Sequence, residues 1–566
     1  MKAPQSRQGY QLPNKHTPSA QILACLLGLA AAMLVLAACA SDSRPKPSPD
    51  TGAPPPLPAP ASVVLPETFE SADFIVTVAK PGDSPDTFAA RYLGSSAKAW
   101  MIEEYGGAPS FVPGNEVVIP RRGWNPPGVH PAGYQLIPVL VYHNIGPQRK
   151  GRLLIAASTF EEQMRYLKAE GYRAVRLEDF LAYLMQKRQL PKKSVLITFD
   201  DGHKSFLQYA RPLLKELGFP VVLFIQSDQI VSRPNANWLS WAELGELVKD
   251  NVEVQTHSKT HNDLRRASGE PEQAYTRRMQ VELGTPLAMF RAHLPQLANG
   301  PETIAYPYGE WDENLLRYVK QYGYMAGFTV QGEANPAFVP LLKVKRSQVL
   351  ADWTLTEFKR TLTTFQQEPI LPKAVPATTG FQPPSTGDAA SIRQQWAAHH
   401  RERSEALESQ GFLGQALDES KIALTIDPNN ATVQEQRKRL ESRIENEVAT
   451  QVQLGAKLAG PSPSDARRRF LAALALNPVS QAAFDGARET TTALEAQRTA
   501  SSTRKVITHT VRSGETVGSI ANLYYGERSL DKVIEKENGL KPGASLSVGR
   551  RLRIPEVPGY PFLLPD

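Results

Sequence analysis

Two hydrophobic periods alternate along the middle of the chain. Leu136–Tyr142 is an apolar run of strand length. Phe160, Met164 and Leu167 then recur at helical spacing behind Ser158-Thr159-Phe160-Glu161, which reads as a capping box. Tyr172–Leu177 reads as a strand and Phe180–Met185 as a helix. Ser194–Phe199 is a strongly apolar strand, followed by a helix over Phe206–Leu217. The rhythm continues through strand Val221–Ile225, helix Trp241–Val248, strands Val252–Thr256 and Thr303–Tyr306, helix Leu315–Tyr322 and strand Met325–Val330. Strand then helix, repeated, predicts an α/β fold of parallel strands with crossover helices, which a barrel would close. In such a fold the reactive side chains gather at the C-terminal ends of the strands.

Outside residues 135–366 the pattern changes. Ile75–Asp83 and Ile507–Glu515 are alike: strand-like alternation, then a turn at Gly82 or Gly514. A helix-like stretch follows each, Thr87–Gly94 and Val517–Gly526, and each closes on a short strand, Val117–Pro120 and Leu552–Pro555. This predicts two small domains of like pattern, at residues 71–122 and 505–557. Residues 392–495 read as helices. Gly411, Leu413, Ala416, Ala423 and Pro428, and again Ala466, Phe470, Ala473 and Pro478, fall at the spacing of stacked helix pairs.

Composition adds the joints and the address. The 566 residues include 47 prolines, and residues 40–66 alone carry nine of them. Such a stretch favours an extended spacer, so residues 39–70 read as a linker. A second Pro-rich stretch, Glu368–Pro384, lies in a linker over 367–391, and Asn125–Pro131 is a third divider. With 41% hydrophobic and 21% charged residues the chain is not wholly disordered, and its +7 charge includes Lys2, Arg7 and Lys15 of the extreme N-terminus. The remaining bias is too weak to indicate a nucleic-acid partner. Those basic residues precede an apolar run, Ile22–Ala38, ending Leu36-Ala37-Ala38-Cys39, so residues 1–38 read as an export signal. The other cysteine is Cys25, inside that signal, which leaves no disulfide to form.

Three polar clusters fall at predicted strand ends: Thr198–Gly202, His257–His261 and Tyr306–Gly309. One carboxylate of the Asp200-Asp201 pair and the imidazoles of His257 and His261 make a three-ligand metal site with open positions. A helical turn after the strand would put both histidines on one side. The donor set suits Zn2+, and Ni2+, Co2+ or Fe2+ accept it too. Asp200 and Asp201 are adjacent, so one can ligate while the other faces the cavity as a general base. A metal there lowers the pKa of bound water and polarises a carbonyl, which suits amide hydrolysis.

On these motifs residues 136–360 resemble the polysaccharide deacetylases of NodB homology, carbohydrate esterase family 4. The resemblance implies a distorted (β/α) barrel that removes acetyl groups from chitin, peptidoglycan, poly-N-acetylglucosamine or xylan. It assigns Asp200 as the base and Asp201, His257 and His261 as the metal ligands. The Tyr308 backbone N–H becomes the oxyanion donor. Val141-Tyr142-His143-Asn144 resembles a Tyr-His segment of the poly-N-acetylglucosamine-acting members, which makes His143 a site residue. Many relatives carry an arginine just before the third motif, to orient the base; Glu302–Tyr306 has none. Many also have a late histidine as the acid. Here no histidine lies between His293 and His399, and Leu342–Arg346 occupies that region. His143 is then the first candidate acid and His203 the second. Trp238 and Trp241 are candidates for sugar stacking or for the core.

The flanks carry resemblances of their own. The two units resemble LysM modules, which implies small βααβ domains that bind N-acetylglucosamine chains; the C-terminal one has Glu537-Asn538-Gly539 where the other has Glu104-Tyr105-Gly106. The helical region resembles tetratricopeptide repeats, which implies protein partners. Leu36–Cys39 resembles a lipobox, implying lipidation of Cys39 and a membrane anchor. Ala40 and Ser41 after it imply the outer membrane, facing the periplasm. Together these features predict a cell-envelope lipoprotein acting on peptidoglycan or a poly-N-acetylglucosamine-like polymer. The alternative is an inactive barrel in a glycan-tethered scaffold that binds partners through its helical repeats.

Overall fold

The computed structural model describes residues 68–106, 111–230, 237–250, 252–297, 300–371, 381–384, 388–501, 505–560 and 562–563. The expected export signal, Cys39 and nearly all of the 39–70 spacer lie outside the described residues.

Besides Arg173–Ala174, which pairs with Ser194–Val195 off the main path, seven parallel strands make up the curled sheet: Val139–Tyr142, Ser194–Asp201, Val222–Ile225, Glu253–Thr256, Thr303–Ala305, Ala326–Phe328 and Ser347–Gln348. Each pairs with the next in sequence until the last, which returns to lie beside the first. Just before it, Val344 bridges to Phe328 on the sixth strand. The segment Val344–Gln348 therefore spans the gap between the two ends of the sheet, which makes the distorted (β/α) barrel expected from the alternation. The strands are buried on both faces, which is why they read as continuous apolar runs. Their period of two divides them between two cores. Leu140, Val195, Ile197, Leu223 and Val254 pack outward with Phe160, Met164, Leu213 and Leu244 of the helices. Leu196, Val222, Phe224, Ala305 and Phe328 belong to the other core.

Two local expectations need correction. The helix over Ala157–Ala169 starts at an Ala156 cap with no side-chain cap bond, so Ser158–Glu161 lies inside its first turn and is not a capping box. The second correction is a helical passage that the apolar pattern did not announce, Glu272–Met279, Gln280–Gly284 in π form, and Thr285–His293. Its first turns are too polar to stand out, yet Tyr275, Met279, Leu283 and Phe290 are fully buried.

Both βααβ units form as expected. Phe74–Val78 pairs antiparallel with Glu116–Pro120, and Val506–Thr510 with Arg551–Pro555, with two α-helices between the strands of each. In the C-terminal unit the Asn538 side chain ties helix to strand, donating to Ile534 and Arg553 carbonyls and accepting from Arg553 N–H. Five helices, Ala389–Gln410, Leu413–Ile426, Ala431–Leu458, Pro463–Leu476 and Gln481–Ser501, make up the predicted helical region.

The expected dividers do not hold these parts away from the barrel. Within Asn125–Pro131, Val129–His130 pairs with Gly133–Gln135, which pairs with Phe365–Gln367. Leu413, Leu440 and Phe470 of the helical region share one core with Phe180, Leu184 and Phe338 of the barrel. The N-terminal unit packs Phe74 and Val76 against Trp396 and Ile422. There His400 sits between Glu116 and Glu419, 2.7 Å from each. Burial pushes its pKa down, but the charge of Glu116 and the bonds to both carboxylates overcome this and raise it to about 9.

Candidate active site

The three predicted clusters meet at one end of the barrel. Asp200 and Asp201 end the strand Ser194–Asp201, His257 follows Glu253–Thr256, and Tyr308 follows Thr303–Ala305. The backbone is strained there. Of the five non-glycine residues with positive φ among the described residues, four are Asp201, Ser258, His261 and Tyr308. Each such conformation costs on the order of 1–3 kcal/mol and is held by its surroundings.

The histidine segment does not turn helically. Ser258 and His261 adopt left-handed φ instead, and Ser258 Oγ accepts from the His261 N–H at 3.1 Å. Buried Glu282, in the π-turn, anchors the segment from behind: it accepts from the N–H groups of Lys259 (3.2 Å) and Thr260 (3.0 Å) and from Thr260 Oγ1 (2.5 Å). A π-turn often marks such a functional displacement of the chain.

This backbone brings the ligand atoms of Asp201, His257 and His261 within 4.8 Å of one another. His257 Nδ1 donates to the Ala305 carbonyl at 2.8 Å, which fixes the tautomer that leaves Nε2 free to ligate. His257 Nε2 and His261 Nε2 lie 3.7 and 3.6 Å from Asp201 Oδ1. Two ligands each ~2.1 Å from a shared tetrahedral ion lie ~3.4 Å apart, so the three residues fit a divalent metal after slight contraction. Burial, and then the neighbouring His257, push His261 down to about 3, so its imidazole is neutral, the form that ligates. Asp201 is held well below the usual carboxylate range: burial opposes this, but the hydrogen bond from His203 and, after it, the electrostatic influence of the neighbouring histidines prevail.

Asp200 points to the same place and is clamped. Arg346, fully buried, donates from Nη1 to Oδ1 and from Nη2 to Oδ2, both at 2.7 Å. Its Nε donates to the Thr329 carbonyl at 3.0 Å, so the fork is itself fixed. Burial alone would raise the Asp200 pKa; the guanidinium charge outweighs it and lowers it. The arginine that Glu302–Tyr306 lacks is thus supplied to this carboxylate from Leu342–Arg346 instead. Alternation was the available signal. Lys345 faces out, to Glu333 at 2.6 Å and Glu495 at 3.0 Å, so Arg346 faces in.

The other predicted residues divide. His143 lines the cleft, and its Nδ1 is buried with no hydrogen-bond partner among the described residues. Burial lowers its pKa, with Asp201 and then Asp200 opposing. The turn at Tyr308 closes through Gly309 N–H to Tyr306 O and Glu310 N–H to Pro307 O, which leaves the Tyr308 N–H outside those bonds. The Tyr308 ring meets His261 edge-on at 4.8 Å. His203 sits beside Asp201, its Nε2 3.4 Å from Oδ2, and stacks on Trp238 at 4.5 Å. Trp238 lines the cleft, whereas Trp241 packs against Phe290 and His293 in the core.

Comparison with known proteins agrees with this geometry. Residues 187–327 match the family model of polysaccharide deacetylase, and residues 509–555 that of the LysM domain. Over 195 residues the chain is 27% identical to a Bacillus subtilis (strain 168) protein carrying the name polysaccharide deacetylase YxkH, covering 34% of this chain and 64% of that one. It is 29% identical over 199 residues to the poly-beta-1,6-N-acetyl-D-glucosamine N-deacetylase of Staphylococcus aureus (strain MSSA476), covering 34% of this chain and 67% of that one. Among solved structures, the Streptococcus pyogenes deacetylase PplD in complex with acetate matches at 23% identity and a TM-score of 0.37, covering 41% of this chain and 99% of that one.

Proposed function

We propose that this chain, which carries a polysaccharide deacetylase domain at residues 187–327 and a LysM domain at residues 509–555, is a metal-dependent N-deacetylase of an envelope polysaccharide. Its substrate is an N-acetylglucosamine polymer of peptidoglycan or poly-N-acetylglucosamine type. The observation that carries the reading is the site itself: a clamped carboxylate, Asp200, beside the three converging ligands Asp201, His257 and His261. The polymer named for the Staphylococcus aureus relative and the LysM domain both point to N-acetylglucosamine chains.

A divalent ion on the three ligands, zinc first by its donor set, supplies Lewis-acid polarisation of the acetyl carbonyl and activation of water. The chain does the rest. Asp200, held by Arg346, takes the proton of the attacking water. Two of its roughly four lone-pair sites accept from Arg346, and others remain toward the cleft. The Tyr308 N–H faces the oxygen on which charge develops, as such donors do. His143 passes a proton to the leaving amine. Acetate release from peptidoglycan, chitin oligomers and poly-N-acetylglucosamine, measured side by side, tests the reading. Release from at least one of them should vanish with chelation and return with zinc. Release that survives exhaustive chelation, or none from any glycan, would overturn it.

The address is proposed from Leu36–Cys39. Lipidation of Cys39 would hold the enzyme on the outer membrane, facing the periplasm. Cys39→Ser is expected to leave the precursor unprocessed or to move the protein to the soluble fraction. Normal processing with membrane retention in that variant would rule the anchor out.

A further inference from the structure

The cleft over the metal ligands is not walled by the barrel alone. Its cavity, of ≈ 800 Å³, is lined on one side by His143, Asp201 and Trp238, and on the other by Asn522, Arg528 and Lys532 of the C-terminal module. The module is seated there by contacts of several kinds. Lys536 Nζ lies 2.6 Å from Asp263, two residues beyond the ligand His261. Buried Arg152 donates to the Tyr525 carbonyl at 3.3 Å. Leu153 and Tyr308 of the barrel pack into the module's own core. Two glycines permit the approach. A Cβ on Gly526 would stand 2.6 Å from Arg152 Cδ, and one on Gly559 would stand 2.5 Å from Val330 Cγ1. Both have left-handed φ, +69° and +76°, so glycine is required twice over. A module serving only as a tether needs none of this fit.

We propose that the C-terminal module is a built-in wall of the catalytic cleft, and that Asn522, Arg528 and Lys532 hold the sugar units flanking the one whose acetyl group enters the metal site. The proposal rests on the deacetylase reading above. The cavity is far larger than one acetamido group and sits within the size range of ligand pockets, ~300–1,000 Å³. It therefore has room for neighbouring units of a polymer. The three side chains are exposed while lining the cavity, and among the described residues neither Arg528 nor Lys532 takes part in an ion pair. Their donors suit the hydroxyl and carbonyl oxygens of a neutral glycan. The wall thus selects a chain over a free sugar, and it fixes which unit of that chain reaches Asp200.

The test compares two substrates on the full-length protein. One is a soluble N-acetylglucosamine pentamer, which spans both walls. The other is a small aryl acetate ester, which needs only the metal end. The combined variant Asn522→Ala, Arg528→Ala and Lys532→Ala changes only exposed side chains. It should lower the ratio of pentamer to ester kcat/KM by ~10-fold or more, mainly through a higher KM, because hydrogen bonds to the flanking units are lost. A ratio that stays within about two-fold of the wild type overturns the wall, since a tenfold change is the expected scale. If the wild type releases acetate from no glycan, the deacetylase reading fails separately. The wall is then decided by pentamer affinity: weaker binding by the variant upholds it, and equal binding overturns it.

Discussion

Asp200→Asn is expected to keep its metal and lose turnover by ~10²-fold or more. Asparagine has the size of aspartate but cannot take a proton at neutral pH, and Asp200 is not among the three converging ligands. The substitution also faces an amide N–H₂ toward one arm of the Arg346 fork, so a lower melting temperature is expected alongside. Metal content by elemental analysis separates the two effects. Retained metal with lost turnover supports the base, and near-normal turnover would remove Asp200 from the chemistry. His143→Ala, measured beside it, should also retain metal and fall by ~10²–10⁴ in turnover if it is the proton donor to the amine. A fall of less than tenfold would leave the donor elsewhere, His203 being the next residue of that type at the cleft.

The barrel and its reactive end were legible in the chain because both are local signals. Parallel strands buried on two faces read as unbroken apolar runs, and Ser194–Phe199 is the clearest of them. Asp200 with Asp201, and His257 with His261, lie within a few residues of each other, so their clustering survives in one dimension. What escaped was built from distant parts. Arg346 meets Asp200 across 146 residues, and Glu282 reaches Thr260 across 22. Neither pairing leaves a periodic trace. The turn that aims His261 depends on left-handed backbone at Ser258 and His261, residue types that do not announce it. The seating of the C-terminal module on the cleft was equally silent. Its pattern reports its own core, while nothing in one dimension sets Gly526 or Gly559 apart until Arg152 and Val330 are seen against them.

Arg346 should therefore prove as consequential as any residue of the motifs, although no motif contains it. It acts on the reaction only through Asp200, as a positioning residue. Arg346→Met removes one partner of a fully buried ion pair and leaves the Asp200 carboxylate without its guanidinium in the barrel interior. Losses of this kind are on the order of 3–5 kcal/mol. The sign with pH follows from the direction of the shift. Asp200 has its pKa lowered in the folded protein, so the pair's contribution is present above the unfolded carboxylate value and is lost as pH falls through the folded one. The stability gap between wild type and Arg346→Met should accordingly be full at neutral pH and close in acid. The same substitution lets burial raise the Asp200 pKa, so with Asp200 as the proposed base the acidic limb of the pH–rate profile should move to higher pH. Arg346→Lys keeps the charge without the two-pronged fork and should recover part of the stability but little of the turnover. The double variant Asp200→Asn with Arg346→Met removes both charges. It should be more stable than Arg346→Met alone and no more active than Asp200→Asn, because an unpaired buried charge costs more than the absence of the pair. An Arg346→Met protein with wild-type melting and an unmoved acidic limb would show that the fork neither stabilises nor tunes the base.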